Sequence, residues 1–163
     1  LNKDDELVSV LKGKDAMDII AYTKQGNGLR FDTGTFTETN RMSRGVIGID
    51  LAPNDEVVGI ARITNTDDQM LILTDKGNGK RCTLDTFAKS DRRGQVLKLI
   101  SLGKGEHLAF VIGCNDFCEF RVLLKTDIFD VSADEFPELT RNHPGKKVIP
   151  VRKGDTIIKV VRK

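Results

Sequence analysis

The sequence predicts an all-β, propeller-like array of about three four-stranded units, each close to 50 residues long. The first warrant is self-similarity at a fixed period. Thr23, Gly26, Asn27, Gly28 and Arg30 return 51 positions later as Thr74, Gly77, Asn78, Gly79 and Arg81. The second is an acidic step into an apolar run, led by Asp5, Asp55, Glu106 and Asp155 at separations of 50, 51 and 49. The third is that no segment sustains the 3.6-residue apolar period of a major helix.

Each unit reads in the same order. It opens on a hairpin, because an Asn-Gly pair bracketed by glycine supplies the positive φ that a tight turn between strands requires. Strands at 18–23 and 70–74 lead into these turns. A short polar stretch follows and ends on Phe36, Phe87 or Phe136, each expected as a buried plug between strands. Next comes a basic, glycine-bearing loop running into an apolar strand, aligned on Val46, Val96 and Val148 at spacings of 50 and 52. A last strand, at 56–63 or 157–161, closes the unit. The third unit is the most degenerate, since residues 125–129 lack the Gly-Asn-Gly turn. The units run over about 5–54, 55–105 and 106–154, with a closing strand at 155–163, and together make a single domain over residues 1–163. Because the chain begins and ends on the same element, neighbouring units are expected to share strands.

Length and composition narrow the function classes. A chain of 163 residues is one domain's worth, and no apolar run approaches the ~18 residues that cross a bilayer. Leu1 to Glu6 has neither an initiator Met nor a basic stretch before an apolar core, so the expectation is a cut-out from a longer protein with no leader visible. Three cysteines without paired zinc spacing favour a reducing, cytoplasmic setting.

Catalytic candidates are few. His107 stands at a strand start and His143 before Pro144, neither with a partner at a catalytic spacing, and Tyr22 reads as a strand residue equivalent to Leu73. A metal site would need Cys82, Cys114, Cys118 and His107 to converge, without the closely spaced pairs that structural zinc prefers. The glycine-bearing runs at 26–28 and 77–79 lack both the third glycine of a dinucleotide fingerprint and the Gly-Lys-Ser/Thr ending of a P-loop. They read as turns. No active site, metal or cofactor is expected in this chain.

Charge is informative through its placement. The net charge is only +2, and residues 1–64 carry 8 basic against 10 acidic groups, residues 65–115 carry 8 against 6, and residues 116–163 carry 10 against 8. Arg30, Lys80 and Arg81 nevertheless follow the hairpin turns, and Arg41, Arg44, Arg92, Arg93, Arg141, Lys146 and Lys147 gather in the basic loops. Acidic groups collect at the last-strand starts and in turns, as with Asp67 and Asp68 or Asp134 and Glu135. If the units surround an axis, this places a basic stripe along one edge, and a stripe without interleaved aromatic rings suits duplex phosphates better than single strands. The rival class is a protein-interaction scaffold docking through open terminal strands.

These residues resemble the C-terminal domain of the A subunit of bacterial type II topoisomerases, DNA gyrase and topoisomerase IV, over essentially the whole chain. The likeness is carried by Thr74, Gly77, Gly79, Lys80, Arg81 and Leu84, by Arg44 to Ile49, and by Asn54 to Gly59. It implies a β-pinwheel whose blades share strands, and a module that binds and bends double-stranded DNA without reading sequence. The implied DNA contacts are Arg30, Arg41, Arg44, Lys80, Arg81, Arg92, Arg93, Lys146 and Lys147. The implied partners are the ATPase B subunit together with the rest of the A subunit, with ATP and Mg used only in other parts of the enzyme. The glycine-rich box typical of gyrase is absent, with Ser90 to Gln95 its nearest approach, so the chain fits either later gyrase blades or the topoisomerase IV type.

Overall fold

The computed structural model describes residues 18–32, 53–87 and 96–163. Asp5, Phe36, Val46 and the basic loops holding Arg41, Arg44, Arg92 and Arg93 lie outside the described residues. Within them, the strands form three antiparallel sheets, here called blades. The first contains β1 (Asp18–Thr23), β2 (Asn27–Asp32), β3 (Val57–Ile63) and β6 (Leu97–Lys98), in the order β3-β1-β2-β6. The second contains β4 (Gln69–Thr74), β5 (Asn78–Thr83), β7 (Leu108–Cys114) and β10 (Lys146–Lys147), in the order β10-β5-β4-β7. The third, β11-β8-β9, joins β8 (Glu119–Leu124), β9 (Ile128–Ser132) and β11 (Ile157–Arg162). Each four-stranded blade therefore takes both of its edge strands from residues of the unit that follows it, β3 and β6 in the first and β7 and β10 in the second. The third sheet has three strands among the described residues, where the repeat predicts four.

The hairpin turns form for the reason the sequence suggests. Gly26 and Gly77 sit at φ 89° and 86°, a region that costs a residue with a β-carbon about 1–2 kcal/mol and costs glycine nothing. Their N–H groups donate to the carbonyls of Thr23 and Thr74 at 3.1 and 3.0 Å. The recurring threonine has a second task, since Thr23 Oγ1 and Thr74 Oγ1 accept the N–H of Asn27 and Asn78 at 3.1 and 3.2 Å.

Backbone pairing also fixes the register between units. Lys98 lies opposite Asn27, and Lys147 opposite Asn78. Leu99 and Val148 then donate to the equivalent carbonyls of Gly26 and Gly77. The counterpart of Val148 is thus Leu99 and not Val96, which corrects the sequence alignment by three residues. The matching valines are a coincidence of composition, and the hydrogen-bond ladder decides.

Two apolar clusters lie between the blades. Ile20 and Tyr22 of the first blade meet Met70 and Ile72 of the second around Phe87, while Leu71 and Leu73 meet Phe120 and Val122 of the third around Phe136. Alternate residues of β4 thus serve opposite neighbours, so all six of its residues are buried. Both described phenylalanine plugs are 1% exposed. Close stacking explains the second glycine of each turn: a β-carbon on Gly28 would stand 2.7 Å from Leu99, and one on Gly79 2.6 Å from the Phe136 ring. Among the described residues no helix is long and apolar enough to cross a membrane.

Candidate nucleic-acid interface

Five of the nine cations singled out in the sequence fall among the described residues, and three of these turn inward. Arg30 sets Nε and Nη2 on the Asp18 carboxylate at 3.0 and 2.7 Å, and Nη1 on the carbonyls of Phe87 and Leu84 at 2.8 and 3.3 Å. Arg81, its repeat partner, gives Nε to the Phe136 carbonyl at 2.7 Å and Nη1 to Asp116 and Gln69 at 2.9 and 3.1 Å. Both arginines reach the carbonyl of the phenylalanine plug in the next unit. Their period reflects the fastening of one blade to the next, and their guanidinium groups are committed there.

Lys80 is further removed from solvent, at 0% exposure. Its ammonium donates to the carbonyls of Thr140, Arg141 and His143 at 2.7, 2.5 and 2.8 Å. All three N–H groups are spent, leaving none for a phosphate oxygen. Burial pushes the ammonium down to about 8, with Arg141 and Lys98 adding to the effect and Cys82 opposing it. Arg30, Lys80 and Arg81, read from the sequence as DNA contacts, thus each stand in a tethering geometry between neighbouring segments.

Lys146 and Lys147 stand exposed on β10. Lys147 Nζ donates to the Lys76 carbonyl at 2.7 Å, and Lys76 Nζ donates to the Lys104 carbonyl at 3.1 Å. Each ammonium keeps two N–H groups free by this count. These links lay the turn at 103–106, the hairpin turn at 74–77 and β10 side by side, so that their lysines form a basic ribbon across the second blade. The ribbon runs into a cleft of about 330 Å³ lined by Asp75, Lys76, Lys147, Arg152, Lys153 and Asp155 among others. Its two acids are already engaged: Asp75 accepts from the His107 N–H at 2.9 Å and faces His107 Nδ1 at 3.0 Å. Asp155 accepts from Thr126 Oγ1 at 2.6 Å, a bond that leads the effects holding its carboxyl below the usual range.

The three repeated acidic positions among the described residues prove to be turn fasteners. Asp55 accepts the Gln25 N–H at 2.9 Å, Glu106 accepts Thr74 Oγ1 and Asn78 Nδ2 at 2.6 and 2.7 Å, and Asp155 accepts Thr126. Each carboxylate caps the hairpin of its own blade. Burial alone would raise Glu106, but the bonds from Thr74, Gly103 and Asn78, with the charge of Lys76, hold it below the usual carboxylate value.

Sequence reasoning missed Lys76, Lys104, Arg152 and Lys153. The signal was present: a lysine directly before a positive-φ glycine recurs at Lys76-Gly77, Lys104-Gly105 and Lys153-Gly154, with φ of 86°, 71° and 86°. Such a turn thrusts its tip into solvent, and a cation there meets a ligand before one on a strand does.

Comparison with known proteins agrees with this architecture. The family described as DNA gyrase C-terminal domain, beta-propeller, matches residues 18–64, 68–115 and 131–162. The DNA gyrase A protein of Haloquadratum walsbyi is 31% identical over 164 residues, covering 98% of this chain, and the chain spans 19% of that relative's length. A crystal structure of the C-terminal domain of DNA topoisomerase IV superposes with a TM-score of 0.74 at 17% identity, over 90% of this chain and 46% of that one. The E. coli ParC C-terminal domain gives 0.65 at 18% identity, over 92% and 63%. Three matched segments on three strand-exchanging blades leave one assignment: the chain belongs to the DNA gyrase C-terminal domain family, the β-pinwheel of type II topoisomerase A subunits.

Proposed function

We propose that this chain binds and bends double-stranded DNA for the A subunit of a type II topoisomerase, without reading sequence. Its partners on this reading are the duplex, the ATPase B subunit, and the remainder of the A subunit, in the cytoplasm. The observation that carries it is the ribbon of Lys104, Lys76 and Lys147 opening into the cleft with Arg152 and Lys153. Phosphate contacts supply affinity and orientation but no base information, and bending lets a small module reach more of them. The chain itself then does no chemistry on DNA.

The test is duplex binding across a salt series. Each phosphate neutralised contributes about −0.9 to the log-log slope, so ~4 contacts predict a slope of about −3.6. Lys76→Glu with Lys147→Glu should weaken binding about tenfold to hundredfold on unrelated sequences alike. Absence of binding at low salt overturns the reading. Arg81→Glu is unsuitable as a probe because it would unfasten the second and third blades. The alternative, a docking scaffold for another protein, has in its favour Phe117, 92% exposed on the turn before β8. It predicts partner capture that Phe117→Ser abolishes and salt leaves intact.

A further inference from the structure

Lys80 occupies a position where the first blade has Leu29 and the third has Phe129, as the pairings Ala21↔Leu29, Ile72↔Lys80 and Val122↔Phe129 show. An apolar residue satisfies the fold there. The ammonium in the second blade therefore answers some other demand, and its three acceptors say which: Thr140, Arg141 and His143 are the backbone of the loop that feeds β10. That loop delivers Arg141, Lys146 and Lys147.

We propose that Lys80 is a positioning residue for the DNA contact. It does not touch phosphate, but its ammonium holds the arc at 140–143 in one shape, and so sets where Arg141 stands and steadies the entry to β10, whose pairing with β5 carries Lys146 and Lys147. The two ends of the arc are paired to β5, with the Leu139 N–H donating to the Arg81 carbonyl at 2.9 Å on one side and β10 lying against Gly79 and Asn78 on the other, and the span between them has few other ties. Ser101 Oγ donates to the Asn142 carbonyl at 2.6 Å, and Arg141 Nη1 donates to the Lys98 carbonyl at 2.8 Å, both contacts at the exposed surface. Gly145, at φ 82°, lies so close over Gly79 that a β-carbon would stand 2.9 Å from its carbonyl oxygen. The pairing of Lys146 with Gly79 brings the two backbones together at this point, where the arc ends. Three charge-assisted bonds from one buried ammonium are a strong local tie, and an arginine would not replace them, because its planar fork cannot converge three donors on one curved arc.

This inference rests on the DNA-binding reading for its consequence, while the tether itself can be tested without DNA. Lys80→Leu borrows the residue of the first blade. Hydrogen exchange of the full chain should then speed up by about tenfold to hundredfold at amides 140–147 while β4 and β8 keep their protection. Unchanged exchange in the loop overturns the proposal. In duplex binding, Lys80→Leu should lower the salt slope by more than the roughly 0.9 of a single contact, because the loop's cations disperse together. Adding Lys147→Gln to Lys80→Leu should cost less than Lys147→Gln alone, whereas a direct phosphate contact by Lys80 would give additive losses. If the wild-type chain binds no duplex but its loop loosens in Lys80→Leu, the DNA reading fails and the tether stands. Should Lys80→Leu not fold, Lys80→Met keeps the length of the side chain and is read the same way.

Discussion

The second and third blades share a hairpin of the same register, with Gln69 paired to Thr83 in one and Glu119 to Ser132 in the other. Position by position, Leu71 becomes Arg121, Gly79 becomes Ile128 and Arg81 becomes Asp130. In the second blade these residues face the following unit: Leu71 is buried, Gly79 makes room for Phe136, and Arg81 reaches the Phe136 carbonyl. In the third blade the same face carries a cross-strand pair, Arg121 to Asp130 at 2.8 and 3.1 Å, and leaves Ile128 58% exposed. A leucine, glycine and arginine on this hairpin are therefore the marks of being covered by another blade. Where nothing among the described residues covers the face, water and a salt bridge take their place.

The most disruptive way to break the contrast is to exchange the glycine. Gly79→Ile, the residue of the third blade, would force a branched side chain into the Phe136 ring and should cost about 3 kcal/mol or more. Ile128→Gly makes the reverse change on an open face and should cost about 1 kcal/mol or less. Urea midpoints of the two variants measure the difference, and equal losses would mean that the Gly79 contact carries no special weight.

Next in size is the arginine. Arg81→Ala strands the Phe136 carbonyl and removes partners from Gln69 and Asp116, for an expected loss of about 2–3 kcal/mol. Asp130→Ala breaks an exposed pair and should leave the urea midpoint within error, since such pairs are screened by water and salt.

These pairs also show what could be read from the chain and what could not. The blade count, the hairpins, the Phe87 and Phe136 plugs and the sharing of strands follow from the period, because covering one unit with the next imposes the same residues each time. The weak segment at 125–129 marks the blade whose face nothing among the described residues covers, and its lost glycine is the same fact seen from the sequence. Arg30, Lys80 and Arg81 could not be placed, because a cation recurring at a blade junction has the same spacing whether it meets a phosphate or a neighbour's carbonyl. Only the distance to the next unit separates the two, and that is a property of the packed array. Lys76, Lys104 and Lys153 were hidden for the opposite reason, each beside a glycine already explained by its turn.

A third contrast is confined to pH. Burial holds the Lys80 ammonium at about 8 against 10.5 for a free lysine, whereas the third blade has Phe129 at that position and nothing to titrate. Between those values the unfolded chain binds the extra proton and the folded chain does not, so raising the pH through this window stabilises the fold. Wild type should gain on Lys80→Leu from about pH 8 to about 10.5 and not below it. The difference between two chains is the quantity to measure, since the buried Cys114 thiol and Tyr22 hydroxyl, both pushed up to about 12, act in the opposite sense in both chains. A gap that widens toward neutral pH would reverse the sign.

The smallest expected effect separates the acids that cap the two hairpins. Glu106 is buried under Thr74 and Asn78, and Asp155 reaches Thr126 from an exposed turn. Glu106→Gln keeps the shape but loses the charge that strengthens two hydrogen bonds, and should cost about 1 kcal/mol at neutral pH. Because the folded carboxyl titrates below its ordinary value of 4.5, its contribution is complete above that value and drains away as the pH falls through the folded pKa. The wild-type advantage over Glu106→Gln should therefore be flat above that ordinary value and shrink as the solution is acidified below it. Amide exchange at Asn78 reports the same loss locally, because its N–H depends on a Thr74 hydroxyl that Glu106 orients. If Asn78 stays protected in Glu106→Gln, the glycine and threonine hold the turn without the acid, and the 50-residue recurrence of that acid needs another cause.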